Sequence, residues 1–174
     1  MICENLGIDF NILRKNMISG YERNKGIPTA GFAAGPCLYK DTVQLNAFLN
    51  NSFLLGKSAT KINQNFPKFL YQKIKLKFGK KLKNKTIGIL GMSFKSNIDD
   101  TRDSLSIELF NFLKKKKLNV IYSDDFANLE NNLKKKELIK KSQIIIIGAP
   151  HRSYKNIKIP KKKFLIDSWG FLAK

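Results

Sequence analysis

The chain has 174 residues, of which 43% are hydrophobic, and its formal net charge at pH 7 is +20. This length suits one or two small domains, and the hydrophobic content is sufficient for a packed core. No apolar run approaches the ~20 residues of a membrane span, no signal peptide opens the chain, and two cysteines with one histidine make neither a disulfide framework nor a zinc site. These observations favour a cytoplasmic globular protein.

The positive charge comes from lysine runs at 80–85, 114–117, 134–136 and 161–163. A basic surface can bind nucleic acid, but proteins that read nucleic acids usually interleave arginine and aromatic residues with their lysines. These runs do not, so we interpret them mainly as solvated surface and expect no specific nucleic-acid partner. A basic, sequence-blind nucleic-acid-binding protein stays open as an alternative. The excess charge should favour phosphorylated, anionic substrates.

The first part of the chain is predicted to be mainly helical. Apolar residues recur every three or four positions over residues 10–18, and Asp9 directly before them is a candidate N-cap. Residues 20–36 contain four glycines and two prolines, which predicts a loop. A short helix is predicted to follow from Thr42 to about Leu49.

The longest predicted helix runs from Lys57 to about Lys80. Its apolar residues form a stripe on one side, as in an amphipathic helix, and Pro67 is expected to kink it. Residues 78–85 are rich in glycine and lysine and are predicted to be a linker.

From residue 86 the pattern changes to strands that alternate with helices. The predicted strands are Thr86–Leu90, Val120–Tyr122, Gln143–Gly148 and Phe164–Ile166, and the predicted helices are Ser104–Lys116 and Leu129–Lys141. This alternation predicts an α/β fold with a parallel sheet, whose ligands bind at the carboxyl ends of the strands. The chain is therefore divided into a helical segment, 1–80, and an α/β domain, 84–174. The first strand–helix turn lacks G-x-G-x-x-G, so its motif does not predict an NAD-binding domain.

The segment 31–41 is the candidate for chemistry, because it places a cysteine in a loop rich in glycine and alanine. Its sequence is GFAAGPCLYKD, so Cys37 is followed by Lys40 and Asp41 at the third and fourth positions. Small residues let backbone N–H groups approach a ligand, and nearby positive charge favours a thiolate. Lys40 and Asp41 would supply a cation and an acid–base group. The residues alone support a nucleophilic cysteine on an anion-binding loop and, equally, a small buried cysteine in a turn.

A second motif lies downstream and, with the first, carries a family resemblance. It reads GMSFK at 91–95 and DDTRDS at 99–104. In this order the two motifs resemble the catalytic-cysteine loop and the G-x-x-F-K…D-D-x-R-x-S signature of the UDP-glucose/GDP-mannose dehydrogenase family. The resemblance covers nearly all of the chain but only the central and C-terminal parts of the family. It implies a helical dimerisation segment and then a Rossmann-like, parallel-sheet UDP-sugar-binding domain, with the N-terminal NAD-binding domain absent.

The resemblance also implies a reaction, the NAD-dependent oxidation of the sugar C6 alcohol to the uronic acid in two steps. The Cys37 thiolate would attack the C6 aldehyde, and the resulting thiohemiacetal would give up a second hydride. The thioester would then be hydrolysed, with Asp41 activating water or ordering the site. Two NAD molecules would be reduced for each sugar acid formed.

Further positions match residues that contact ligands in the family. Lys40 and Arg102 match positions at the nicotinamide cofactor. The substrate-contacting matches are Arg23, Gly31, Phe32, Phe94 and Lys95. The alternative for Arg23 is a surface arginine, and the alternative for Arg102 is a salt bridge with Asp99, Asp100 or Asp103.

Four other residues complete the prediction, and none of them is assigned a role in the site. Trp169 stands where many family members have an arginine that reaches the diphosphate. His151 follows a strand and is expected to be a structural or a surface residue without a catalytic role. The pair Asp99-Asp100 has no third ligand at a sensible spacing, so no metal is predicted.

These observations identify the chain as the C-terminal portion of a nucleotide-sugar 6-dehydrogenase that acts on UDP-glucose or a UDP-N-acetylhexosamine. We expect a homodimer with a UDP-sugar substrate, NAD as cofactor and no membrane association. One interpretation is half of an active site, completed by a separate N-terminal NAD-binding chain. The alternative is a non-catalytic truncated remnant that binds UDP-sugar or dimerises.

Overall fold

The computed structural model describes residues 1–172, with the exception of the Leu38 side chain. The helices of this part of the chain are α1 (Ile2–Asn5), α2 (Phe10–Ile18), α3 (Pro36–Phe48), α4 (Leu54–Gln64), α5 (Phe66–Phe78), α6 (Leu105–Lys115) and α7 (Lys135–Lys141). The strands are β1 (Thr86–Leu90), β2 (Asn119–Ser123), β3 (Ile144–Ile147) and β4 (Phe164–Ile166). Short 3₁₀-helices lie at Glu22–Asn24, Gly79–Asn84 and Arg152–Tyr154. None of the helices within residues 1–172 has the length and apolar character needed to cross a membrane.

The four strands form one parallel sheet in the order β2-β1-β3-β4. In the register of the sheet, Ile87 lies beside Val120 on one side and Ile144 on the other. The predicted α/β fold with a parallel sheet is confirmed. Because all four strands run in the same direction, the residues that follow Leu90, Ser123, Ile147 and Ile166 share one edge, which we call the carboxyl edge.

The core has two layers because β3 is apolar on both faces. Ile144 and Ile146 belong to the cluster on one face of the sheet, whereas Ile145 and Ile147 belong to the cluster on the other. All four isoleucines are fully buried, as expected for a central strand of a parallel sheet.

Helices cover both faces of the sheet. One face carries α5 and α6, which pack against each other through buried residues that include Leu70, Ile74 and Leu109. The other face carries α7, with Leu138 and Tyr154 buried there. Phe32, from the segment before α3, joins the first cluster and so attaches that segment to the α/β core.

Two helix starts show how local chemistry sets the boundaries. The Asp9 carboxylate accepts hydrogen bonds from the N–H groups of Asn11 (2.7 Å) and Ile12 (3.2 Å), which confirms the predicted N-cap. Helix α3 begins at Pro36, whereas Thr42 was predicted. Gly35 at the N-cap has φ +119°, and proline favours the start of a helix because it has no N–H to satisfy and its φ is already helical.

Three other predicted boundaries were wrong. The long helix expected over 57–80 is two helices, α4 and α5, divided at Asn65; Pro67 lies in the first turn of α5, where its missing N–H costs nothing. The linker expected over 78–85 holds a 3₁₀-helix with Leu82 buried. The helix expected from residue 129 starts only at Lys135, because Asn132 instead bonds the backbone of Asp124 through its side chain.

Candidate functional site

A cleft of about 220 Å³ lies at the carboxyl edge of the sheet. Four stretches of chain supply its walls: the segment before α3, the β1–α6 connection, the residues after β3 and the residues after β4. Its lining residues are Phe32, Ala33, Ala34, Phe94, Lys95, Ser96, Pro150 and Trp169. The fold thus brings together three of the predicted substrate residues, Phe32, Phe94 and Lys95, from positions about 60 residues apart in the sequence.

Two glycines let the cysteine-bearing segment approach these walls. Gly31 has φ +152°, and a Cβ placed on it would lie 2.2 Å from the Trp169 ring. Gly35 has φ +119°, and a Cβ there would lie 2.8 Å from the Phe94 ring. Any other residue at either position would clash and would strain the backbone. In this structure Gly31 serves the close packing of Trp169, and its contact with substrate stays a prediction.

Trp169 lines the cleft from the end of β4. Its indole N–H donates a hydrogen bond to the Gly148 carbonyl at 3.0 Å, which fixes the ring across the chain that follows β3. The side chain therefore offers the cleft an aromatic surface and no charge. Lys95, which is exposed, is the cation among the residues that line this cleft.

Cys37 lies in the first turn of α3 and is exposed. The expectation of a loop at this cysteine was wrong, for the reason given above for Pro36. The helix places Lys40 and Asp41 three and four residues further on, and therefore on the same side as Cys37. The Lys40 ammonium and the Asp41 carboxylate are 3.7 Å apart and both exposed. The three groups share one helix face, with the thiol at the positive end of the helix dipole.

Arg102 forms an ion pair with Asp100. Its Nε is 3.1 and 3.0 Å from the two carboxylate oxygens and its Nη2 is 2.7 Å from one of them. The hydrogen bond between the two side chains lowers the pKa of Asp100 and raises the pKa of Arg102. The negative charges of a Cys37 thiolate and of Asp103 raise the pKa of Arg102 by smaller amounts. The salt-bridge alternative for Arg102 is observed. The side chain is 74% exposed and lies within electrostatic reach of Cys37, so its contact with a cofactor stays a prediction.

Two groups of predicted residues lie outside the cleft lining. Arg23 is an exposed residue of the 3₁₀-helix at Glu22–Asn24. The Cys37, Lys40 and Asp41 face of α3 also contributes no residue to the cleft. The substrate-binding and thiol-bearing parts of the predicted site are therefore neighbours joined by the 31–36 segment.

A buried carboxylate beside the cleft was not identified from the sequence. Asp124, directly after β2, is 3% exposed. Its oxygens accept hydrogen bonds from the N–H groups of Met92 (2.6 Å), Ser93 (3.0 Å), Phe126 (2.8 Å) and Ala127 (2.9 Å). The Ser93 hydroxyl oxygen lies 3.1 Å from the same carboxylate. Burial raises the pKa of Asp124, but the hydrogen bonds from His151 and from these N–H groups outweigh it and hold the pKa far below its usual range.

His151 is the second member of this buried pair. It is fully buried, and its Nε2 lies 3.1 Å from the Asp124 carboxylate. Its Nδ1 accepts the Asn97 N–H at 2.8 Å, so the ring is the neutral tautomer that carries its proton on Nε2. The structural alternative for His151 is therefore the observed one. The sequence signal was partial: Asp124 directly follows β2 and His151 lies four residues after the end of β3. The structure adds that these two strands flank β1 on either side.

The turn after β1 shows how far NAD fits this chain. A dinucleotide diphosphate needs free backbone N–H groups at such a turn. Here the N–H groups of Met92 and Ser93 are bonded to Asp124, and a Cβ on Gly91 would lie 2.5 Å from the backbone of Ala149. The turn is therefore filled by the protein itself. Lys40 and Arg102, two exposed cations near Cys37, could contact one side of an anionic cofactor.

Sequence comparisons point to one family. Residues 88–174, half of the chain, match the model described as the UDP-glucose/GDP-mannose dehydrogenase family, UDP binding domain. The UDP-glucose 6-dehydrogenase of Rickettsia bellii is 33% identical over an alignment of 141 residues, and the match covers 76% of this chain and 31% of that protein. The UDP-N-acetyl-D-mannosamine dehydrogenase of Methanocaldococcus jannaschii is 34% identical over an alignment of 109 residues, and the match covers 59% of this chain and 24% of that protein.

Solved structures agree with the fold. A UDP-glucose dehydrogenase from Pyrobaculum islandicum superposes with a TM-score of 0.80 at 22% identity, over 95% of this chain and 41% of that one. A UDP-D-ManNAc dehydrogenase from Pyrococcus horikoshii gives 0.76 at 21% identity, over 90% and 38%. The chain spans about a third of the length of the curated dehydrogenases that it matches over most of its own length.

Proposed function

Because the chain belongs to the UDP-glucose/GDP-mannose dehydrogenase family, we propose that it supplies the nucleotide-sugar-binding part of a nucleotide-sugar 6-dehydrogenase. The observation that carries this proposal is the cleft, in which Phe32 of the cysteine-bearing segment meets Phe94 and Lys95 of the second motif. The substrate is a UDP-sugar, either UDP-glucose or a UDP-N-acetylhexosamine, since relatives of both names match the chain.

The cleft suits the chemistry of such a ligand. Lys95 provides a positive charge for a phosphate or a sugar hydroxyl, and its long stem lets the ammonium follow the ligand. Phe94 and Trp169 provide flat apolar surfaces for a base or a sugar ring. Without the arginine that many family members have at position 169, Lys95 carries more of the charge recognition in this chain.

The thiol-bearing face of α3 performs the covalent part of the proposed reaction. The Cys37 thiolate adds to the C6 aldehyde carbon, a C–S bond forms, and the carbonyl oxygen takes a proton. A bound NAD would supply the hydride acceptor for each of the two oxidations at C6. Loss of the second hydride from C6, together with the proton of the hydroxyl formed there, leaves a thioester on Cys37, and water then releases the sugar acid and the thiol. Asp41, on the face of Cys37, is placed to take a proton from that water.

The proposed cofactor contacts in this chain are Lys40 and Arg102. Both are exposed cations, and an exposed Arg102 can exchange Asp100 for a ligand anion at small cost. Most of the NAD site would lie outside these 174 residues, either on a separate NAD-binding chain or on a longer form of this one.

The helical segment is the proposed dimer contact. Its exposed large apolar side chains include Phe48 (82%), Leu54 (69%) and Leu55 (77%), which lie at the end of α3 and the start of α4. Exposed clusters of this kind mark interaction surfaces. We propose a homodimer through this segment. Both cysteines are free, which suits the reducing cytoplasm where we place the protein.

Alkylation of the thiols tests the catalytic part of the proposal. Cys37, but not Cys3, should react with iodoacetamide faster than a free thiol near neutral pH, as measured by mass spectrometry of tryptic peptides. The Cys3→Ser variant should keep the fast rate and Cys37→Ser should abolish it. If Cys37 is alkylated no faster than a free thiol, in a chain that still binds UDP-glucose, the non-catalytic alternative is favoured.

A further inference from the structure

Three consecutive residues, 94–96, form one wall of the cleft. Phe94 and Lys95 belong to a connection without regular secondary structure, so no helix or strand fixes their positions. A short connection of this kind is mobile unless its ends are attached. Both ends of this one are attached, and both attachments lead to the same buried carboxylate.

The first attachment is direct. Asp124 accepts the N–H groups of Met92 at 2.6 Å and Ser93 at 3.0 Å, the two residues that immediately precede the wall. The Ser93 hydroxyl lies 2.7 Å from the Ile98 carbonyl, so it also ties the start of the connection to its end. These bonds are buried or half-buried, where competition from water is weak.

The second attachment passes through His151. Asn97, the residue that immediately follows the wall, donates its N–H to His151 Nδ1 at 2.8 Å, and its side-chain oxygen accepts the Arg152 N–H at 2.8 Å. Asn97 has φ +59°, a conformation that asparagine tolerates better than most residues and that needs such support. His151 Nε2 in turn lies 3.1 Å from Asp124.

We propose that Asp124 and His151 are positioning residues that set the Phe94–Ser96 wall and thereby the affinity of the cleft for the nucleotide part of the substrate. This inference rests on the proposed function of the cleft. Neither residue lines the cleft, so their effect passes through the connection alone. His151 holds the end of the wall through Nδ1, which accepts the Asn97 N–H, while the contact of Nε2 with Asp124 orients the ring.

Two substitutions separate the bonds of His151 from its bulk. In His151→Asn the side-chain oxygen stands near the position of Nδ1 and can still accept the Asn97 N–H. In His151→Gln the amide stands near Nε2 and can still donate to Asp124, but the Asn97 N–H loses its acceptor. Each variant leaves a polar side chain of similar character in the core, so a role in packing alone predicts similar effects.

Calorimetric titration with UDP compares these variants with the parent chain. We expect His151→Asn to bind UDP within about twofold of the parent, and His151→Gln to bind about tenfold more weakly, the factor that corresponds to one unsatisfied buried group. Equal UDP affinities in the two variants, whether both high or both low, would overturn the proposal.

Amide hydrogen exchange without ligand separates this inference from the proposed function. The Asn97 amide should exchange at least about fivefold faster in His151→Gln than in His151→Asn, as loss of one hydrogen bond predicts. If the parent binds no UDP, the proposed function fails, and this exchange ratio still supports the attachment. A ratio near one would overturn it whatever the parent binds.

A third variant covers the case in which substitutions at His151 prevent folding. Ser93→Ala removes the hydroxyl that ties the start of the connection to Ile98, and it places no new polar group in the core. We expect it to fold and to bind UDP about fivefold more weakly than the parent, consistent with the loss of one hydrogen bond. A Ser93→Ala chain with parental affinity would contradict the proposal.

Discussion

Residues 1–64, the part of the helical segment that ends with α4, bury far fewer of their large apolar side chains than the α/β domain does. Among the described residues of the α/β domain, the core isoleucines and leucines are almost fully buried. Phe126, at 42%, is the one large hydrophobic side chain described there that is exposed. Within the described part of residues 1–64, Phe32 is the large hydrophobic residue that is fully buried, whereas many others, such as Ile2, Leu6 and Phe48, are exposed.

The difference teaches that the two regions have different sources of stability. The core of the α/β domain is closed, with α5 and α6 on one face of its parallel sheet and α7 on the other. The helical segment presents apolar faces that nothing in a single chain covers in the described part of the structure. We infer that its order depends on a second surface, which is the basis of the proposed homodimer.

Truncation of leucine should show the largest contrast between the regions. Leu109→Ala removes a fully buried side chain of α6 and should lower the free energy of unfolding by about 2–5 kcal/mol. Leu55→Ala, in a residue that is 77% exposed, should change the free energy of the monomer by less than about 0.5 kcal/mol. Urea unfolding of dilute protein measures both. Similar losses would contradict the comparison.

Added methyl groups should reproduce the contrast at a smaller scale. A Cβ at Gly148 would lie 2.3 Å from the Gly91 carbonyl oxygen and 2.3 Å from the Ser106 hydroxyl, so Gly148→Ala should cost about 1–3 kcal/mol of stability. Gly26 has open space around a Cβ, and Gly26→Ala should stay within about 0.5 kcal/mol of the parent. Thermal unfolding of the two variants decides this, and a stable Gly148→Ala would show that the carboxyl edge is loosely packed.

Acid should act on the α/β domain through Asp124. Because the folded pKa of Asp124 lies below its usual value of 3.8, its contribution to stability is complete above that value and is lost as the pH falls toward the folded pKa. The free energy of unfolding should therefore fall more steeply below pH 4 in the parent than in Asp124→Asn. Denaturant unfolding from pH 5 to pH 2 measures both slopes, and identical slopes would contradict the assignment.

Polar substitution in the helical segment should change assembly more than stability. Leu54→Ser combined with Leu55→Ser should shift the parent's dimer toward monomer in sedimentation velocity, because both side chains are exposed in the single chain. Leu76→Ser is the matched control, since Leu76 is 88% exposed but lies in α5, which packs against α6 and lies outside residues 1–64. Either a monomeric parent or equal effects of the two changes would remove the basis of the proposed contact.

The sequence predicted the α/β domain better than the helical segment, for physical reasons. The run Ile144–Ile147 is apolar at every position and fits only a buried strand, and Thr86–Leu90 is observed at its predicted bounds. Helix ends depend on single residues, so α3 begins at Pro36 instead of Thr42, and the single helix predicted over 57–80 is divided just before Pro67. The family resemblance named Phe32, Phe94 and Lys95 as substrate contacts, and these residues line one cleft, while their contact with substrate stays a prediction. The Asp124–His151 pair needed the strand order of the sheet, which no local pattern contains.

Titration of the chain with UDP-glucose in a calorimeter tests the central claim most directly. The account predicts saturable binding by the parent, binding at least about tenfold weaker in Lys95→Ala because a charged contact is lost, and parental binding in Lys83→Ala. Lys83 is the control, since it is an exposed lysine that precedes β1 and therefore lies at the opposite edge of the sheet. Absence of binding, or equal binding by Lys95→Ala and the parent, would contradict the assignment of the cleft.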